Sequence, residues 1–125
     1  MSKIESTPVS LPTAADLSAK KFFFGKLVNG LVAVCSVLGE RADGVIGAYQ
    51  KLVPAAGDPV DFYQDRIVLV QSSAAIAKGA ELTPAATGKA ITAVSTNIVK
   101  AKALQAATAA DQWIRALIVA AYIKP

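Results

Sequence analysis

Three aspartates crowd the stretch GDPVDFYQD, at Asp58, Asp61 and Asp65, and clustered carboxylates are groups that bind hard cations or move protons. Their spacing does not fit the EF-hand calcium loop, which also demands a glycine at its sharp turn. A Gly-Lys pair stands at Gly88-Lys89 in ATGKAI, but the upstream glycine of a phosphate-binding P-loop is absent. Cys35 is the only cysteine, so no intrachain disulfide can form, and inside the apolar run LVAVCSVL it reads as a buried, inert thiol. The chain has no histidine, which removes the Cys-His and Ser-His-Asp pairings together with the commonest metal ligand. These residues lead us to expect no catalytic, metal or cofactor site, and a protein that is not an enzyme.

What remains is surface chemistry. In KKFFFGKLVNGLVAV three consecutive phenylalanines sit between paired lysines and an Asn-Gly. Rings among lysines suit a nucleic-acid stacking platform, a membrane-surface anchor, or a strand entering a hairpin. Asn29-Gly30 favours the hairpin, because both central residues of its tight turn need positive φ. In a continuous strand Phe22 and Phe24 would share one face with Lys20 and Lys26, and Phe23 would take the other. Aromatic area would then be left on the side away from the core, to meet another subunit, a partner or the stems of its own lysines. Trp113, followed by Ile114 and Arg115, is a second candidate anchor, since Trp and Arg are enriched at interface hot spots; the alternative is a core tryptophan at the edge of a closing strand.

The 125 residues fit one domain with a core of its own. Hydrophobic residues make up 54% and charged ones 18%, so the surface must carry much Ala, Val, Ser and Thr, as in a subunit of an assembly. The net charge is +4, but the basic residues are scattered from Lys3 to Lys124 rather than gathered in the stripe that nucleic-acid binders show. The N-terminus has no apolar signal region, and WIRALIVAAYI, interrupted by Arg115, is too short to span a bilayer. These features predict a soluble protein made in the cytoplasm, with no membrane partner.

Residues 1–12, with Pro8 and Pro12, read as an extended or flexible arm whose apolar residues are Ile4, Val9 and Leu11. From residue 13 to 125 short apolar runs alternate with turn signals, which predicts a single, mainly β domain, a small β-barrel or β-sandwich. Pro54 and Pro59 bracket a loop. The alanine-rich last third reads two ways: a helix by propensity and spacing, or a strand to about Leu104, a turn near Asp111 and a closing strand from about Trp113 to Tyr122. No internal repeat stands out, although LVNGLV and ATGKAI are both turn-plus-strand units.

The opening AADLSAKKF, the strand GVIG at residues 44–47, the AAGDPV element at 55–60, and the segment AIAKGAELTPAATGKA at 75–90 follow one another in a familiar order. In that order and spacing the chain resembles the head-decoration, or capsid cement, proteins of tailed bacteriophages over nearly its whole length. It departs from them in AATAADQ, which lacks the glycine turn they often carry before the last strand. The resemblance implies a non-enzymatic β-rich homotrimer that binds the major capsid protein on the outside of the assembled head and braces it. It favours strands in the last third. Under that reading Phe22, Phe23, Phe24 and Trp113 are the expected subunit or capsid contacts, and Ile4, Val9 and Leu11 the anchors of the arm, with no nucleic acid bound directly. The rival readings are another virion subunit, such as a head-fibre base or tail-tube-like part, and a small nucleic-acid or carbohydrate binding module.

Overall fold

Asn29 and Gly30 take φ of 52° and 79° and close a tight turn, so the expected hairpin is present. It joins β2 (Phe24–Val28) to β3 (Leu31–Val34). In the computed structural model, which describes residues 9–49, 51 and 54–125, the other strands are β1 (Val9–Pro12), β4 (Gly44–Tyr49), β5 (Pro59–Tyr63), β6 (Arg66–Gln71), β7 (Glu81–Pro84), β8 (Ala90–Thr92), β9 (Ile98–Ala103) and β10 (Trp113–Ile123). No helix occurs among the described residues. The fold is therefore mainly β, made of two antiparallel five-stranded sheets in the orders β1-β5-β4-β2-β3 and β6-β10-β9-β7-β8. This fits the sandwich alternative, and the sheets do not close into a barrel.

The last third is strand because its apolar residues follow a period of two. Ile114, Ala116 and Ile118 are buried, whereas Trp113, Arg115 and Leu117 between them are exposed. Other expectations need correction. Val9 to Pro12, taken as arm, pair with β5 from Val9↔Phe62 to Pro12↔Pro59, so a deletion of residues 1–12 would remove a strand. Pro59, placed in a loop, opens β5 at the strand's first position, where proline is tolerated.

The two sheets are the same sheet twice. Raising each strand number of the first by five gives the order of the second, and the registers agree. Phe24↔Val45 and Gly25↔Gly44 correspond to Glu81↔Lys102 and Leu82↔Ala101. Ile46↔Phe62 corresponds to Ala103↔Ala116, and Val9↔Phe62 to Val68↔Ala116. An isolated parallel bridge ties Thr13 to Val32 in one half and Ser72 to Ala90 in the other. The buried Thr13 and Ser72 hydroxyls each donate to a carbonyl ahead of the last strand of their half, at Asp58 and Ala109. Positive φ recurs at equivalent turns, in Phe22 and Gly79, Gly30 and Gly88, and Gly39 and Thr96. Each half also carries its own apolar cluster, around Phe62 in the first and around Leu82 in the second.

The halves meet where the β7–β8 hairpin seats on the end of the first sheet. Phe24 donates its N–H to the Gly88 carbonyl at 2.8 Å, and Gly39 donates to the Pro84 carbonyl at 2.9 Å. Phe24, Cys35 and Val45 turn toward the second half and join its core. Gly88 has φ +90°, and a Cβ there would lie 2.5 Å from Val34 Cγ2 and 3.0 Å from the Cys35 carbonyl oxygen; its counterpart Gly30, at φ +79°, has open space. Gly30→Ala should therefore cost only the left-handed strain, about 1 kcal/mol. Gly88→Ala should lose about 1–3 kcal/mol more from overpacking the joint. Urea unfolding midpoints of the two variants check this, and equal losses would contradict the joint.

Candidate functional site

The KKFFF stretch is not a continuous strand. Lys21 and Phe22 form a turn, Phe22 sits at φ +67°, and β2 begins only at Phe24. The expected alternation of faces is thereby replaced: Phe23 points into the first half's own cluster, 4% exposed, and Phe24 into the shared core, fully buried. Neither can reach a partner, and both are withdrawn as contact residues. Leu11 packs against the first cluster and cannot serve as an arm anchor either. Val9 is exposed within β1, and Ile4 lies outside the described residues.

Phe22 and Trp113, by contrast, come together. Their ring centroids lie 5.1 Å apart at an interplanar angle of 82°, an edge-to-face pair. The chain around Phe22 is fixed from both sides: its N–H donates to the Ile46 carbonyl at 2.7 Å, and its carbonyl accepts from the Gln71 N–H at 2.9 Å. Those two bonds hold the turn across the seam between β4 of one sheet and β6 of the other. Trp113 stands opposite Gln71 on the outer face of the second sheet and is 55% exposed. Along that face Arg115 pairs with Leu69 and Leu117 with Ile67, so an apolar strip runs on from the aromatic pair. Ile67 and Leu117 are both exposed.

The rim of this patch is cationic. The Lys21 ammonium lies 5.0 Å from the centre of the Phe22 ring, and Lys20 and Lys89 lie 5.2 and 5.8 Å from that of Phe23. Lys89 also pairs with Asp111, whose carboxyl is held below its ordinary value mainly by that hydrogen bond. Arg115 stands between Trp113 and Leu117.

Comparison of the two halves separates this patch from the needs of the fold. Where the second sheet has Trp113, Arg115 and Leu69, the first has Pro59, Asp61 and Ser10. Where the first half strains Phe22 into a left-handed turn, the second uses Gly79 at φ +86°. A bulky residue in that region costs about 1–2 kcal/mol, and such strain persists where the surrounding structure over-determines it, here through the bonds to Ile46 and Gln71.

Asp58 and Cys35, singled out for chemistry, are held by the fold. Asp58 accepts from the Ala55 N–H and pairs with Lys51 at 3.5 Å. Cys35 is buried, and desolvation, followed by the negative charge of Glu40, pushes its thiol up to about 12. Among the described residues no group of three His, Cys, Asp or Glu is arranged to hold a metal ion.

Phe22→Gly should change stability by no more than about 1 kcal/mol, because the relieved strain offsets the lost ring contact. Phe24→Ala should lose about 3–5 kcal/mol. Denaturant titration of both checks the assignment, and a Phe22→Gly loss as large as that of Phe24→Ala would return Phe22 to the core. No protein-family model, no curated protein and no solved structure matches the chain.

Proposed function

We propose that the protein is a non-enzymatic decoration, or cement, protein of a tailed-phage head. It binds the outer surface of the assembled major capsid lattice as a homotrimer and stabilises the mature shell. The observation that carries this reading is the pair of half-buried Phe22 and exposed Trp113, which the sister half does without. A rigid aromatic anchor with an arginine beside it and a basic rim is the composition of a binding hot spot facing an acidic surface. The order of motifs in which the chain resembles decoration proteins suggests the class of partner.

The mechanism is linkage. A protein that binds the expanded lattice and not the unexpanded one stabilises the former by its differential affinity. A trimer that engages several capsid subunits at once multiplies modest contacts into tight binding.

Purified protein mixed with expanded, undecorated capsids should co-sediment with them and leave procapsids bare. Trp113→Ala should weaken that binding by about tenfold or more, the loss of a hot-spot residue. Co-sedimentation with neither particle would refute the reading, and wild-type affinity in Trp113→Ala would remove the patch from it.

A further inference from the structure

The two ends of the molecule differ in how the joint between halves is completed. In the first sheet the seat is filled by the β7–β8 hairpin, through Phe24 N–H to Gly88 and Gly39 N–H to Pro84. The equivalents of Phe24 and Gly39 in the second sheet are Glu81 and Thr96, on the register and turn correspondence given above. Another hairpin does not fill this second seat. Thr96 donates its N–H to the Lys124 carbonyl at 2.9 Å, and the Lys124 N–H donates to the Asn97 carbonyl at 2.8 Å. The Glu81 carboxylate accepts from the Lys124 ammonium and the Tyr122 hydroxyl. Lys124 thus takes on Thr96 the place that Pro84 takes on Gly39, as the continuation of β10, whose Tyr122 and Ile123 pair with Val99 and Ile98.

At the opposite end, among the described residues, no backbone hydrogen bond of this kind joins the tip of the β2–β3 hairpin to another element. Its counterparts of Pro84 and Ala85, both buried, are Leu27 and Val28, which are 36% and 46% exposed. Among the described residues, therefore, one apolar hairpin stands without a seat, and Lys124 takes the Thr96 position of the second seat.

We infer that residues 122–124 are an intramolecular stand-in, which keeps the second sheet's seat closed against the β2–β3 hairpin of another copy of the chain. The occupant is a second copy because the sister of that hairpin is the element seen to fit such a seat. The contact is head-to-tail, so release of the strap opens a chain-forming or ring-forming association. The clasp on Glu81 sets how readily the strap leaves. This inference uses neither Phe22 nor Trp113 and does not rest on capsid binding, so either can fail without the other.

The test compares weight-average molar mass by light scattering over a concentration series for the full chain, for a chain ending at residue 121, and for full-length Glu81→Ala. The shortened chain should rise to about twofold or more above the full chain's mass as concentration increases, as open head-to-tail association requires. Adding Val28→Glu to it should restore the full chain's mass. Glu81→Ala, which removes the side-chain part of the clasp and leaves the Lys124 backbone bonds to Thr96 and Asn97, should move in the same direction to a smaller extent. Growth that survives Val28→Glu would overturn the inference, as would a folded shortened chain whose mass equals that of the full chain. If the shortened chain does not fold, Glu81→Ala decides alone, and an unchanged mass overturns the inference.

Discussion

Two backbone hydrogen bonds, from Phe24 N–H to Gly88 and from Gly39 N–H to Pro84, sew the β7–β8 hairpin into the end of the first sheet. The bonds are possible because Gly88 has no side chain at a point where the Val34 methyl and the Cys35 carbonyl approach. Once the hairpin is seated, Phe24, Cys35 and Val45 lose their last exposure and become part of the second half's core. A five-stranded half alone would present these residues to water. Burial at the joint is therefore what makes the two halves one cooperative body.

The joint also places the site. With the sheets fixed to each other, the Phe22 turn can bond to Ile46 in one and Gln71 in the other, which brings its ring to the edge of Trp113. Neither sheet could build this pair alone. An anchor held by backbone bonds on two sheets loses little side-chain freedom when a partner covers it, so more of its contact energy appears as affinity. The cost is a left-handed phenylalanine, which the second half avoids with Gly79.

The legible parts of the fold were those written locally. Asn29-Gly30 specifies its hairpin through φ alone, and the alternation of Ile114, Ala116 and Ile118 with exposed neighbours settles strand over helix once the faces are known. The duplication was hidden because equivalent positions exchange volume rather than repeat residues. Gly25, Gly44 and Phe62 in one half correspond to Leu82, Ala101 and Ala116 in the other, so the large side chain moves to a different strand. Only the turns kept a trace, in LVNGLV and ATGKAI. For the site, the sequence offered Phe22, Phe23, Phe24 and Trp113 together as contacts, whereas Trp113 is exposed, Phe22 half-buried, and Phe23 and Phe24 buried. Strand periodicity assumed a start at Lys20, and the positive φ of Phe22 resets the phase; a local bond from the Phe23 N–H to the Lys20 carbonyl closes that turn, and the bonds that hold Phe22 itself come from the distant Ile46 and Gln71. The pairing of Phe22 with Trp113 is a contact between distant segments and has no sequence signal.

Trp113 is the only tryptophan in the chain, so its fluorescence reports on the patch without labelling. The most direct test of a rigid two-sheet body that presents this patch to a capsid is acrylamide quenching of Trp113, free and bound to expanded capsids. The account predicts ready quenching in the free protein, where the indole is 55% exposed, and strong protection in the bound state. Equal quenching in the two states would place the capsid contact elsewhere and contradict the account.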